Sequence, residues 1–409
     1  MQPKLSVENL YKIFGKHPAA AMRMLREGAG KADILARTGA TVGVRDASFA
    51  VEEGEIFVVM GLSGSGKSTL VRMLNGLIPP TEGHILIDGE DVATAAPADL
   101  RRIRRERIAM VFQHFALFPH WSIAENVAYG LKVRGIPAPE RRARALEVLE
   151  QVGLAPWADS RPADLSGGMQ QRVGLARGLA ADPDILLMDE PFGALDPLIR
   201  RDMQMELLTL QKTLKKTIVF ITHDLNEALL LGNRIAIMKD GEIVQIGTAQ
   251  EIVTNPADDY VAAFVADIDR GRVFTVDDVS SEALTVPLRD TSVRQALRLM
   301  ENRGTQALYV MDGTRPVGVV TYRDLAASEL DEATPNPTLR EALITDFPTA
   351  NTDTQLHELY GPAGGGLPIA VTDERDRLLA VVEPGDVLTH LSGAATNEPA
   401  KEGADAQPR

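Results

Sequence analysis

Cysteine is absent from this 409-residue chain, which excludes a disulfide framework and a thiolate metal site and fits a reducing cytoplasm. Long apolar runs are missing too: no stretch approaches the roughly 18 to 20 consecutive apolar residues of a membrane span. The start, Met1-Gln2-Pro3-Lys4-Leu5, lacks the apolar segment of a signal peptide, so secretion is not expected. Positive charge is in deficit, with 43 Lys and Arg against 57 Asp and Glu and a formal net charge of −14. Affinity for nucleic acid comes largely from neutralising phosphates, so no nucleic-acid partner is expected. The one basic run, Arg101 to Arg107, reads as a solvated helix face. What is present is an ordinary globular composition, 44% apolar and 24% charged, in a chain long enough for two or three domains.

Residues 5 to 10 and 42 to 60 read as strands, the second ending in the continuous apolar run Ile56 to Met60 of a buried parallel strand. Between them, 15 to 43 carries the amphipathic pattern Ala21-Met22-Arg23-Met24-Leu25-Arg26 and reads as an inserted helix or two. Further apolar strands are expected at 108 to 112, 185 to 188 and 217 to 221. They alternate with helical segments, as in a wound α/β sheet. A hairpin is expected at 235 to 245, turning on Asp240-Gly241. Beyond about 270 the pattern changes. Strand–turn–strand–helix units end at Asp312 to Asp324 and at Asp373 to Asp386, spacings of 12 and 13 residues. The match reads as an internal repeat. The tail from Gly393 is expected to be disordered.

Strand 55 to 60 runs into Gly61-Leu62-Ser63-Gly64-Ser65-Gly66-Lys67-Ser68, the G-x-x-x-x-G-K-[ST] phosphate loop. Its glycines let successive N–H groups turn inward toward phosphate, and the following helix adds the positive end of its dipole. Lys67 supplies charge to the β- and γ-phosphates, and the Ser68 hydroxyl suits Mg²⁺. The apolar strand 185 to 188 delivers Asp189 and Glu190. Alone, two acids after a strand read as a solvated strand end. Beside a phosphate loop they become a holder of Mg²⁺ through water and a group that polarises the attacking water.

Asp164-Leu165-Ser166-Gly167-Gly168-Met169-Gln170-Gln171-Arg172 resembles the signature sequence of ABC ATPases, with Met169 where that family usually has Gln. The other family elements follow in order: Gln113 matches the glutamine loop, Ala194-Leu195-Asp196 the D-loop, and His223 the switch histidine. The resemblance implies an α/β P-loop ABC ATPase domain over 1–270 with an inserted helical subdomain at about 96–175. It implies catalytic roles for Glu190, His223 and Lys67, and Mg²⁺ held by Ser68, Gln113 and Asp189. ATP contacts are implied from Phe14, Gly61, Ser63, Gly64, Ser65, Gly66, Lys67, Ser68, Thr69 and Gln113, Phe14 stacking on adenine. Ser166, Gly167, Gly168 and Asp196 are implied to complete the site in trans, in an ATP-sandwiched pair of identical chains.

The N-terminal insertion, Leu186 to Glu190 with Leu195 to Arg200, and the C-terminal repeat resemble the ATPase subunits of glycine betaine/proline importers over almost the whole chain. That implies a tandem CBS domain at 271–392, smaller and also α/β, which senses osmotic conditions. It also implies a peripheral place on the cytoplasmic face of the inner membrane. An integral membrane permease would dock near Phe115 to Trp121, and a substrate-binding protein would act through the permease. A buried patch beneath the helical subdomain is the other reading of those aromatics. In the repeat, Thr321 and Asp324 fit the CBS nucleotide motif, whereas the second half has Glu383 where a hydroxyl would contact phosphate. Residues 272 to 392 hold ten Arg, no Lys and nineteen acids, which disfavours anionic lipid. The arginines of helix 292 to 304 are the best local lipid candidate, and a plain dimerisation module stands beside both sensor readings. Uptake of choline, carnitine or an amino acid, a soluble ABC ATPase outside transport, and a nucleotide sensor remain the alternatives.

Overall fold

The structure is a computed structural model that describes residues 3–113, 115–330 and 338–392. The chain divides into two compact units, Met1–Asp267 and Ile268–Arg409. The tail from 393, expected to be disordered, lies outside the described residues. Among the described residues no helix is long and apolar enough to cross a membrane.

The first unit is built on two sheets. One has six strands in the order Glu242–Gly247, Arg234–Lys239, Ile56–Met60, Thr217–Thr222, Ile185–Asp189 and Ile108–Val111. Every neighbouring pair is parallel except the terminal hairpin. Ile56–Met60 and Thr217–Thr222 are buried at every position, as strands covered on both faces must be. The other sheet is antiparallel, in the order Thr41–Val51, Leu5–Phe14, Glu82–Ile87, Glu90–Asp91. Its inward side chains, among them Leu5, Val7, Phe49 and Ile85, join Phe57, Val59, Leu187 and Val219 of the first sheet and Leu70, Val71 and Leu74 of helix Lys67–Leu74 in one core.

Residues 42 to 60, expected as a single strand, are two. Thr41–Val51 lies in the antiparallel sheet and Ile56–Met60 in the parallel one. Between them the chain turns at Glu52 to Glu55, where the Glu55 carboxylate accepts the Glu52 N–H at 2.7 Å. The strand expected over 5 to 10 runs on to Phe14. The insertion forms two helices, Pro18–Arg26 and Lys31–Thr38. They close a small core of their own, Ala21, Met22, Leu25 and Ile34 against Ile13, Ala40 and Val42.

Arg101 to Arg107 is more than a solvated face. Arg107 binds Asp88 and Asp184, and Arg102 binds Glu90. Arg104 donates to the Gly76 carbonyl at 2.9 Å. Through these contacts the helix Pro97–Glu106 and Arg107 after it are tied to Gly76, Asp88, Glu90 and Asp184.

In the second unit the repeat is two three-stranded sheets of one topology. Thr285–Pro287 pairs parallel with Ala307–Asp312, which pairs antiparallel with Arg315–Thr321. Thr349–Ala350, Ile369–Thr372 and Leu378–Val382 repeat the pattern. Helix Val293–Arg303 turns Val293, Ala296, Leu297 and Met300 inward, while Arg294 binds Glu329. Tyr309 and Val319 of the first sheet pack with Ala370 and Val381 of the second. The Tyr309 hydroxyl donates to the Pro368 carbonyl at 2.6 Å, tying the halves together.

Candidate active site

The phosphate loop leaves the central buried strand with almost no room around it. Gly61 has φ +150°, and a Cβ there would stand 2.2 Å from the Met238 carbonyl oxygen. Only glycine satisfies both constraints. The Ser65 N–H donates back to the Leu62 carbonyl at 3.1 Å, and helix Lys67–Leu74 starts after Gly66. Ser63, Gly64 and Ser68 are exposed, whereas Ser65 Oγ is buried with no hydrogen-bond partner among the described residues. Lys67 is buried, and its ammonium donates to the loop's own Gly61 and Leu62 carbonyls at 2.8 and 3.0 Å. Burial pushes its pKa down, and the charges of Glu190 and Asp189 oppose that.

Three strand ends bring Gln113, Glu190 and His223 together. Glu190 sits at φ 46°, a left-handed conformation unusual for a side-chain-bearing residue. Its N–H is anchored to the Ile221 carbonyl at 2.9 Å. Its Oε2 accepts from Gln113 Nε2 at 3.4 Å and lies 3.1 Å from His223 Nδ1. Neighbouring Asp189 has its pKa raised, first by burial and then by the Glu190 charge, against Arg72 and Lys67.

Behind His223 stands a set of residues that the sequence reading missed. The Thr222 hydroxyl donates to Glu227 Oε2 and accepts the Asp224 N–H at 3.0 Å, so it straddles the histidine. Gln204 Nε2 donates to Glu227 Oε1 at 3.0 Å. Glu227 lies on the buried face of the short helix Leu225–Leu231, which the sequence alone does not mark.

Ser166 and Asp196 are N-caps. Ser166 accepts from Met169 N–H at 3.4 Å and opens helix Gly167–Ala180. Asp196 accepts from Ile199 N–H at 3.1 Å and opens Pro197–Leu214. No hydrogen bond or ion pair joins Ser166, Gly167, Gly168 or Asp196 to the phosphate loop among the described residues. Gly168 lets the two helices meet, since a Cβ there would stand 2.5 Å from Ile199 Cγ2. Phe14 is 39% exposed and faces Gly43, whose Cβ would stand 2.8 Å from its ring and 3.3 Å from Thr69 Cγ2.

The rings of Phe118, Trp121 and Tyr129 pack against one another in tilted contacts, their centroids 4.6 to 5.8 Å apart, and Lys132 covers the Trp121 ring. These aromatics are half-buried or exposed. In the second unit Thr321 and Asp324 engage each other: the hydroxyl donates to Asp324 Oδ2 at 2.7 Å and accepts the Asp324 N–H at 3.2 Å. Glu383 is held protonated to higher pH by burial and by Asp386.

Known proteins are similar to this chain. The family described as ABC transporter matches residues 44–193, and the family described as CBS domain matches 276–331. OpuAA of Bacillus subtilis, a glycine betaine transport ATP-binding protein, is 50% identical over 391 residues, 95% of this chain and 93% of its own. ProV of Escherichia coli, a glycine betaine/proline betaine transport system ATP-binding protein, is 49% identical over 403 residues, 97% of this chain and 100% of its own. Among solved structures, the ATP-binding cassette MJ0796, a dimer in a post-hydrolysis state bound to ADP and Pi, superposes with a TM-score of 0.50 at 34% identity. That match covers 60% of this chain and 98% of the cassette. Similarity at this level along nearly the whole length of both chains leaves one conclusion: this chain belongs to the ATP-binding proteins of the ABC transporters, and it hydrolyses ATP to ADP and phosphate.

Proposed function

We propose that this ATPase powers uptake of glycine betaine or a closely similar quaternary ammonium solute. The observation that carries the reading is that relatives named for glycine betaine transport align through both units, not through the ATPase alone. The chain works against a membrane permease at the cytoplasmic face of the membrane, supplied by a substrate-binding protein. It operates as a pair in which Ser166, Gly167, Gly168 and Asp196 of one copy complete the phosphate site of the other. The dimeric cassette supports that pairing, as does a helix N-terminus at Gly167 suited to phosphate. The partly exposed aromatic cluster of Phe118, Trp121 and Tyr129 is the proposed permease contact.

In this reading Glu190 is the general base. Its carboxylate is positioned by Gln113 and His223, and positioning of the attacking water is a main task in phosphoryl transfer. His223 then contacts the γ-phosphate, and Lys67 exchanges the loop carbonyls for phosphate oxygens. Phe14 stacks on adenine, and the loop from Gly61 through Ser63, Gly64, Ser65 and Gly66 to Ser68 and Thr69 surrounds the phosphates. The unpartnered Ser65 hydroxyl suits such a ligand.

Magnesium fits the donor set, because Ser68 offers a hydroxyl, Gln113 an amide oxygen and Asp189 a carboxylate, all hard ligands. Burial, and after it the Glu190 charge, raises the Asp189 pKa, and a cation bound there would favour the ionised carboxylate. Held by Ser68, Gln113 and Asp189, Mg²⁺ would supply positive charge against the negative charge of the phosphates. In the second unit, an adenosine-type ligand at Thr321 and Asp324 would have to break the hydrogen bonds they make to each other.

Two measurements test this. Glu190→Gln is expected to lower turnover by at least a hundredfold while ATP-dependent dimerisation persists; near-normal turnover would remove Glu190 as base. For the solute, the complex reconstituted with its permease in vesicles is expected to accumulate radiolabelled glycine betaine. Uptake of choline or an amino acid without glycine betaine would overturn the substrate.

A further inference from the structure

We infer that Lys31, supplied by the inserted helix pair, is an additional nucleotide contact at the ribose–α-phosphate end of the ATP site. The inference rests on the reading that ATP lies between Phe14 and the phosphate loop. Lys31 is the first residue of helix Lys31–Thr38, and the insertion folds it back onto the turn of the terminal hairpin. A Cβ on Gly241 would stand 3.1 Å from Lys31 Nζ and 3.0 Å from the Gly43 carbonyl oxygen.

Both neighbours pack against the phosphate loop. The Gly241 N–H donates to the Ser65 carbonyl of the phosphate loop at 2.8 Å. Gly43 stands between Phe14 and Thr69, and its carbonyl oxygen would lie 2.5 Å from a Cβ on Gly66. The ammonium is thus lodged where strand Thr41–Val51, the hairpin turn and the phosphate loop meet.

Its electrostatic situation completes the case. Lys31 is half-buried, yet its ammonium makes no ion pair or hydrogen bond among the described residues. Asp240 and Glu242 act on it only through space, and burial holds its pKa below the ordinary value. Of these acids Asp240 acts on it more strongly, and Glu242 is engaged by Arg45 at 2.7 Å. A desolvated cation without a partner is costly, and an anion arriving beside Phe14 and Thr69 removes that cost. The insertion therefore supplies charge to the nucleotide in addition to lengthening the loop after Phe14.

The test is the affinity for ATP of the full chain, measured by titration calorimetry in the wild type, Lys31→Met, Lys31→Arg and Lys67→Ala. Lys31→Met is expected to weaken ATP binding about tenfold, the size of one charge-assisted contact, and to raise KM with kcat at saturating ATP unchanged. Lys31→Arg keeps the charge and is expected to recover most of the affinity. Unchanged affinity in Lys31→Met overturns the inference, whether or not its melting temperature moves. If both Lys31 variants weaken binding equally, the residue acts by packing the insertion, which also overturns it. Failure of the broader reading is distinct: the wild type would then bind no ATP, or Lys67→Ala would bind it as well as the wild type.

Discussion

A carboxyl group on a buried helix face persists only if its hydrogen bonds are met, and Glu227 meets them through Thr222 and Gln204. Burial is the largest influence on it and raises its pKa. The folded state therefore binds the proton more tightly than the unfolded chain, and the ionised form is penalised. Stability from this group is greatest below the ordinary carboxyl range and falls as pH rises through the raised folded value. Glu227→Gln is expected to flatten that decline, read from urea unfolding at a series of pH values; an unchanged slope would mean the residue titrates normally. Glu227→Ala leaves the Thr222 hydroxyl and the Gln204 amide without their partner and is expected to cost about 1–3 kcal/mol. It should also lower turnover, because the Thr222 hydroxyl straddles His223. Gln113, Glu190 and His223 were legible in the sequence because each follows a strand at a recognisable motif. Glu227 was not, because a single acid among leucines resembles a solvated position until the helix is seen to bury it.

Elements were legible where burial imposes one pattern, and sheet membership was not, because pairing partners leave no mark on a strand's own pattern. Ile56–Met60 and residues 185–188 announced themselves as continuous apolar runs. The turn at Glu52 to Glu55 is polar and separates an alternating strand, Thr41–Val51, from the continuous one, but nothing in either pattern says that the two enter different sheets. The helix pair at Gly167–Ala180 and Pro197–Leu214 carries a contact that no periodicity reveals. Gly168 sits where a Cβ would press on Ile199 Cγ2 at 2.5 Å. Gly168→Ala is expected to push these helices apart and cost about 1–3 kcal/mol as overpacking. Ile199→Ala should restore the space, so the double variant is expected to be more stable than the sum of the two single changes implies. Strict additivity in thermal unfolding would show that the contact relaxes freely. ATP-dependent dimerisation should follow the same order, since Ser166 and Gly167 begin the displaced helix.

At the scale of the whole molecule the chain joins two units with separate cores, one centred on the paired sheets of the ATPase and one on helix Val293–Arg303 and its sheet. The repeat behind the second unit was visible in the matched aspartate spacings, and the structure gives both halves the same parallel-then-antiparallel order. Whether that unit holds a ligand was not visible, because Thr321 and Asp324 serve equally well as a helix start that bonds to itself. The first unit contains every residue assigned to hydrolysis, from Phe14 to His223. A chain shortened to residues 1–267 is therefore expected to keep ATP binding and, at saturating ATP, hydrolysis within about threefold of the full chain, a difference of under 1 kcal/mol in barrier. Its regulation should differ. In vesicles with the permease, ATP hydrolysis by the full chain is expected to rise with ionic strength, and hydrolysis by the shortened chain to respond little. Equal responses would leave the second unit as a dimerisation module, and a shortened chain that binds ATP but cannot turn it over would place part of the catalytic requirement beyond residue 267.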